Sequence, residues 1–429
     1  APNRGNITMK SPLKNTLLLA GALACLFLLP SSSEALATSV KSMGRAGAVA
    51  AQPLDSLVAA YNPAGLAFVS NRWDLGVSVV KEYGDARFSG NSTFNQKICS
   101  HDYEAPLFIP EFGVNQNICE RQYEYEFTLG FVVYNRESFK TKFERDNPIF
   151  GTSKPGLEYL HYIAAPTFSI QFGCDHALGI TADFHGHRLK VNGLENFDNS
   201  TYSKGRKSVT GEGYDYAGGV GFTVGWISRL SPWATIGLSW SPETKMGRLQ
   251  DYKGLLARKG RMNIPARYVG GLAIDFLCGL TAELDVELIS YTEITALNNS
   301  FLHNDDTAPF FGKDHGSGWG WRSQTNYRLG IEWEVNEDFS VRIGYWHTHI
   351  PIRSSQALLN SLIPNIVEDY ITFGGSNKFD CCNEISFFAA YGLNNSISGH
   401  HAIPASLGSG SVTLEEKKWL VGISWGRFF

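Results

Sequence analysis

Three kinds of pattern in this chain carry residue types that chemistry needs. Gly422-Ile423-Ser424-Trp425-Gly426 has the G-x-S-x-G spacing of a nucleophile elbow. That motif works on a strand-to-helix turn, and here the flanking residues alternate like a strand up to Phe429. No catalytic residue and no enzyme activity is expected from it. His185-x-His187 and His347-x-His349 have the same-face spacing of two metal ligands on a strand. No third ligand is implied, so polar residues of an interior or a rim are the better reading, and neither a metal nor another cofactor is expected. The seven cysteines are Cys25, Cys99, Cys119, Cys174, Cys278, Cys381 and Cys382. Their spacing leaves both disulfides and simple structural thiols open.

These residues need elements to hold them, and composition narrows the choice. Charged residues make up 18% of the chain and aromatic residues 13%, with 44 Gly and 27 Phe, as in an all-β protein. A net charge of −4 argues against a nucleic-acid partner, which would call for a basic stripe. Near the N-terminus, Lys10 and Lys14 precede an apolar run from Leu17 to Leu29, then Pro30, a Ser cluster and Ala35-Leu36-Ala37. That order reads as a secretory signal peptide with upstream residues over 1–37, the peptide itself starting at Met9. No later apolar run reaches the ~20 residues of a membrane helix.

From residue 73 the chain repeats runs of alternating polarity separated by Gly, Asn, Asp or Pro turns. In "GLTAELDVELISYTEI", Leu280, Ala282, Leu284, Val286 and Leu288 share one face, and Thr281, Glu283, Asp285 and Glu287 the other. In "ALGITADFHGHRL", Leu178, Ile180, Ala182 and Phe184 oppose Thr181, Asp183, His185 and His187. In "YRLGIEWEV", Tyr327, Leu329, Ile331, Trp333 and Val335 oppose Arg328, Glu332 and Glu334. Such alternation suits any half-buried antiparallel strand, in a sandwich or a barrel. Strands are expected near 73–80, 107–116, 125–134, 160–172, 177–190, 214–227, 233–243, 264–276, 279–293, 321–335, 338–349, 366–378, 383–393 and 414–429. Connections after odd-numbered strands are mostly long, as at 191–213 and 294–320, and those after even-numbered strands short, as at 173–176. A transmembrane antiparallel β-barrel of about 14 strands, with long outer loops and short inner turns, explains that parity, and a sandwich does not. Trp73, Trp226, Trp233, Trp333, Trp419 and Trp425 fall near strand ends, where an aromatic girdle would sit.

Two blocks give the barrel a likeness. "MGRAGAVAAQPLDSLVAAYNPAGLAFVSNRWDLGVSVV", with Gly44-Arg45-Ala46 and Asn62-Pro63-Ala64, resembles the N-terminal region of the FadL-type long-chain fatty acid transporters of the bacterial outer membrane. "GWRSQTNYRLGIEWEVNEDFSVRIGYWHTHIPI" resembles that family's paired late strands, with Arg328, Gly330, Arg342, Gly344 and Pro351. The resemblance implies an N-terminal hatch over residues 38–72 that plugs a barrel over residues 73–429 in the outer membrane, placed there by the barrel assembly machinery and expected as a monomer. It implies diffusive uptake of a long-chain fatty acid or similar hydrophobic molecule, captured by outer loops, passed through an interior pocket and released sideways into membrane lipid. "AAYNPAGLAF" itself reads equally as a helix N-cap, with Asn62 capping and Pro63 at the first helical position. The family's lateral opening depends on a kink in strand three, yet "FVVYNRESF" offers no glycine, so Tyr134 to Arg136 would have to supply the kink.

For a fatty acid, each buried methylene contributes ~0.8 kcal/mol, so a long chain gains on the order of 10 kcal/mol from an apolar pocket. An unpaired carboxylate there would cost several kcal/mol, so a basic residue should meet it. Arg322, at the start of strand ten, stands where the family tends to place that contact, with Arg188 and Lys190 on strand five as further candidates. Each could instead pair with Glu283, Asp285 or Glu287 to brace the lumen. Phe68, Phe301, Phe310 and Phe311 are candidates for the apolar path. Aromatic hydrocarbon uptake, a structural or adhesive barrel, and an outer-membrane phospholipase are the alternatives. The last is the least supported, because Asp183 and His185 share the polar, inward face.

Overall fold

The computed structural model describes residues 39–99, 106–118, 125–276, 278–301 and 311–429. The signal-peptide expectation for residues 1–37, Cys25, Cys119 and Phe310 lie outside the described residues.

Fifteen strands form one sheet, all neighbours antiparallel: β1 Arg72–Ser89, β2 Lys97–Cys99, β3 Leu107–Asn117, β4 Tyr125–Lys142, β5 Gly156–Phe172, β6 His176–Asn192, β7 Asp215–Ser231, β8 Ala234–Ser241, β9 Arg267–Asp275, β10 Leu280–Ile289, β11 Gln324–Glu334, β12 Phe339–Thr348, β13 Asp369–Lys378, β14 Asn383–Gly399 and β15 Ser411–Phe428. Pairing of β1 with β15, from Arg72↔Phe428 to Ser89↔Ser411, closes fourteen of them into a barrel. The three-residue β2 is the extra strand, lying beside β1 at Asp85–Arg87. Closure leaves the fourteen-strand ring without a terminal strand, as a strand structure in lipid requires.

The two faces follow the alternation in the sequence. Leu284, Ile343, Phe373 and Ile423 point out and are exposed, whereas Glu283, Asp285 and Glu287 point in and are at most 1% exposed. An outer surface this apolar is what a bilayer covers. Trp73 and Trp425, at the short-turn end, meet edge to face at 4.7 Å, and Trp419 stacks obliquely with Tyr391 further toward the long loops. β1, β4 and β14 run beyond the expected ends, to Ser89, Lys142 and Gly399. The reason is local: past the apolar band the outward residues of β1 become Lys81, Tyr83, Asp85 and Arg87, so the alternation stops while the ladder continues. Tyr291–Glu293 is a separate 3-10 turn, not the end of β10, and Trp321 and Arg322 precede β11.

Residues 39–71 lie inside the ring as short helical turns: Val40–Met43, Ser56–Ala60 and Pro63–Phe68. The Asn62 side chain accepts from the amide of Ala64 and caps the last of these, with Pro63 at its start. The same Asn62 amide donates to the carbonyls of Ala50 (2.7 Å) and Trp226 (3.2 Å), so one residue both starts the turn and ties it to the wall. Inward carboxylates hold the rest. Asp285 accepts from the amides of Val49 (2.8 Å) and Ala50 (3.0 Å), and Glu283 from those of Ala51 (2.7 Å) and Gln52 (3.2 Å). Arg45, fully buried, is in ion contact with Glu283 (2.9 Å) and Glu332 (3.3 Å), and Glu332 also binds Arg342 at 2.6 Å. The backbone fits this closely because Gly330 and Gly344, paired across β11 and β12, face Arg45 and Ala46. A Cβ at Gly330 would meet the Arg45 carbonyl oxygen at 2.6 Å, and one at Gly344 the Ala46 nitrogen at 2.5 Å.

Replacing Arg45 with Ala leaves Glu283 and Glu332 buried without their shared cation, an effect of about 3–5 kcal/mol when one partner of a buried pair is removed. Amide exchange at Val49–Gln52 should accelerate at least a hundredfold in detergent micelles while amides of β10 and β11 stay protected. Unchanged protection at Val49–Gln52 would contradict this anchoring.

Candidate functional site

On the long-loop side of the inner segment, the lumen holds two cavities that share Glu137, Phe139, Ile264 and Pro265. One is lined by charged side chains and the other is apolar.

The charged cavity is built by strand parity. Arg267 starts β9, Glu287 lies on β10, and Arg328 and Asn326 on β11, all with side chains in the lumen. Glu287 pairs with Arg267 and with Arg328 (3.1 Å), and accepts from the Asn326 amide at 2.9 Å. Tyr61 of the inner segment rises between the two arginines, its ring 5.0 Å from the Arg267 guanidinium and 5.4 Å from that of Arg328. Arg328 also lies 4.9 Å over Trp346. These ring faces stabilise the cations without using their N–H donors. The Nε and Nη1 donors of Arg328 therefore remain without a hydrogen-bond partner, although the residue is only 5% exposed. Arg136, whose Nη2 donates to the Tyr134 hydroxyl (2.7 Å), also lines this cavity and has a buried, unpartnered Nε. Three guanidinium groups thus face two carboxylates, Glu287 and Glu137. Buried donors left unmade cost roughly 1–3 kcal/mol each, more for charged groups, so an anion placed here would recover that cost.

The apolar cavity is walled by Leu157, Tyr159 and Leu189 from the barrel and by Leu256, Met262, Leu297, Trp319, Trp321 and Ile363 from the loops. Trp321 is fixed by its indole N–H bond to Asn360 (2.7 Å) and by edge contacts with Tyr291 (5.1 Å) and Phe139 (5.8 Å). The two cavities share a wall and together present an apolar side and a cationic side. That is the complement of an amphipathic molecule with an anionic head.

The barrel wall is interrupted beside it. β3 pairs with β4 only from Phe112↔Val133 to Asn117↔Thr128. Beyond that, Leu107–Glu111 pairs with β1 alone, while β4 continues to Lys142 against β5 alone. The β4–β5 register shifts between Asn135 and Glu137, so Arg136 is an extra residue with no partner across the ladder. A bulge bends its strand and raises its twist. The bend at Tyr134–Arg136 therefore needs no glycine. Pro110, which cannot donate to a ladder, sits on the stretch of β3 that β4 has left. Glu144 closes the interruption above through its amide bond to Cys99 of β2 (3.3 Å).

Other residues picked from the sequence lie elsewhere. Arg188 and Lys190 project to the same side as Leu178 and Phe184, away from the lumen, where Arg188 pairs with Glu158 (2.7 Å) and both flank Tyr214. Arg322 is exposed and does not line either cavity. Phe68 is half-buried near the short-turn end, beneath Arg229 at 4.5 Å. Phe301 and Phe311 pack on Phe197 (6.0 and 5.8 Å) in the core under the long loops and line neither cavity. His185 and His187 face the lumen, where His161 and His185 are joined nitrogen to nitrogen at 2.9 Å. His347 lies at the rim against Asp369, and Ser424 stays within β15. Arg267 and Arg328, which the sequence reading missed, carried one usable signal: Arg328 alternates with the outward Tyr327 and Leu329, and Arg267 precedes the outward Tyr268.

The sequence matches no protein-family profile and no curated protein. Solved structures do match. The chain is similar to the toluene transporter TodX of Pseudomonas putida, at 17% identity and a TM-score of 0.64, covering 93% of this chain and 100% of that one. It is similar to a FadL homologue of Pseudomonas aeruginosa, at 15% identity and a TM-score of 0.65, covering 93% and 100%. It is also similar to the toluene transporter TbuX of Ralstonia pickettii, at 14% identity and a TM-score of 0.61, covering 91% and 98%. The fold is thus that of the FadL-type transporters, which are channels rather than enzymes.

Anilinonaphthalene sulfonate has an apolar body and an anionic group, and it should bind this space with enhanced fluorescence. The Arg328→Met variant should bind it at least tenfold more weakly, as expected for losing a charge-assisted bond. Equal affinity in the variant would remove the guanidinium end from the site.

Proposed function

We propose that this barrel is an outer-membrane channel that takes up long-chain fatty acids or closely similar apolar carboxylates by diffusion. The observation that carries the reading is Arg328: a buried guanidinium with two unpartnered donors, in the cavity that borders the apolar one. A neutral hydrocarbon would leave those donors unmet, whereas a carboxylate satisfies them while its chain occupies the space lined by Trp319, Trp321 and Leu189. Arg328 and Arg267 hold the head, Glu287 keeps both cations in place, and Arg136 marks the way out.

Residues 39–71 act as the hatch. They sit within the lumen, bound to Glu283, Asp285, Glu332 and Glu384, and block straight passage. Release is then sideways, through the interruption between β3 and β4 at the Arg136 bulge. No bond is made or broken at any stage. The outer-membrane setting rests on the closed barrel, its apolar outer surface and the FadL-type fold. A second reading, uptake of aromatic hydrocarbons, is favoured by the rings of Phe139, Tyr159 and Trp321 and by the likeness to proteins described as toluene transporters.

Radiolabelled oleate and toluene uptake by cells lacking their own transporters distinguishes these readings. Oleate should enter, and deleting Arg136, which makes the β4–β5 ladder continuous, should reduce entry at least tenfold while the barrel still assembles. Toluene uptake without oleate uptake would transfer the assignment to hydrocarbons. Full oleate uptake by the deletion variant would exclude the sideways route.

A further inference from the structure

The turn joining β13 to β14, far from the cavities, carries Asp380, Cys381 and Cys382. Among the described residues this is the one group of three potential ligands, each from a His, Cys, Asp or Glu, whose donor atoms lie within 4.8 Å of one another. The two sulfurs are 3.0 Å apart, and both thiols are reduced. We propose that this turn is a binding site for a soft divalent cation of the zinc group, held by the two thiolates and the Asp380 carboxylate.

Several features favour a chelate over a bridge between the sulfurs. Consecutive Cα atoms across a trans peptide stand ~3.8 Å apart, below the roughly 4.4–6.8 Å that disulfides span. The backbone on either side is also pinned. Asp380 Oδ1 accepts from the amides of Cys382 and Asn383 at 2.7 Å each, and the Cys382 carbonyl accepts from the amide of Phe428 at 2.7 Å. Asp380 Oδ2 accepts from the Asn383 side chain at 2.7 Å and keeps lone-pair capacity for a cation. Tetrahedral zinc with Zn–S bonds of about 2.3 Å separates two sulfurs by roughly 3.8 Å, which a small χ1 rotation reaches from here. Three protein donors leave a fourth position for water, and exposure of Cys381 and Asp380 leaves it accessible.

Charge fits as well. Two thiolates and a carboxylate overcompensate a divalent cation by one, and the nearby Arg427 offsets that excess. The site also borders the anchor of the inner segment. Glu384, next but one to Cys382, binds Lys41 at 2.7 Å and Arg72 at 2.8 Å.

The test is titration of the full chain with Cd²⁺ in detergent micelles under a phosphine reductant, read as thiolate-to-cadmium absorbance. The expected result is one tight equivalent that is absent from the Cys381→Ser/Cys382→Ser variant. Asp380→Asn, which keeps the turn's acceptor oxygen, should bind about tenfold more weakly. An unchanged equivalent in the double variant would place the cadmium on other thiols and overturn the proposal. Absence of tight binding by the reduced wild type would overturn it equally. Heat-modifiable mobility on gels checks that each variant is a closed barrel.

Discussion

Everything inside this barrel depends on how buried carboxylates are satisfied. Fourteen strands enclose a lumen too wide for side chains alone to fill, and β10 alone places Glu283, Asp285 and Glu287 in it without solvent contact. Charges so placed are tolerated only when paired and hydrogen-bonded. The chain solves this with its own N-terminal segment. Asp285 and Glu283 take the amides of Val49–Gln52, Arg45 closes the gap between Glu283 and Glu332, and Lys41 and Arg72 meet Glu384. Filling the lumen and satisfying its charges are the same act. The two sequence blocks that resemble the FadL-type transporters turn out to touch each other here, Gly44-Arg45-Ala46 lying on Gly330 and Gly344.

The same balance is deliberately incomplete one level higher. Glu287 serves two arginines, and Tyr61 and Trp346 stabilise those cations with ring faces that accept no ordinary hydrogen bond. The result is a preorganised cation with donors to spare, set against apolar walls. Preorganisation lowers the ordering cost of binding, so a ligand's head group gains more from this arrangement than from a mobile surface arginine. Because Tyr61 belongs to the inner segment, what fills the lumen also shapes the cationic end of the cavity.

The barrel was largely legible in the sequence because lipid and lumen impose opposite polarities on alternate residues. Leu280 to Leu288 and Leu178 to Phe184 read correctly for that reason. The pattern fails where both faces become polar, which is why the upper parts of β1, β4 and β14 and the short β2 escaped notice. The binding end was less legible. Arg188 and Lys190 were attractive as basic residues near a strand end, but their parity puts them beside Leu178 and Phe184. Arg328 had the right parity, yet nothing local distinguishes a braced arginine from one with unpartnered donors, since that depends on Tyr61, Trp346 and Glu287 meeting from distant segments. The bulge at Arg136 left only a faint trace, four successive polar residues, Asn135 to Ser138, directly after the apolar run Phe131 to Tyr134.

In the proposed channel a carboxylate head meets Arg328 while its chain fills the apolar cavity. Diffraction from crystals grown with a fatty acid brominated at its methyl end locates both ends at once. An anomalous bromine peak is expected among Trp319, Trp321 and Leu189, with the carboxylate in hydrogen-bond contact with Arg328 Nε or Nη1. A bromine peak at the Arg328 end, or a ligand bound only among the outer loops, would contradict it.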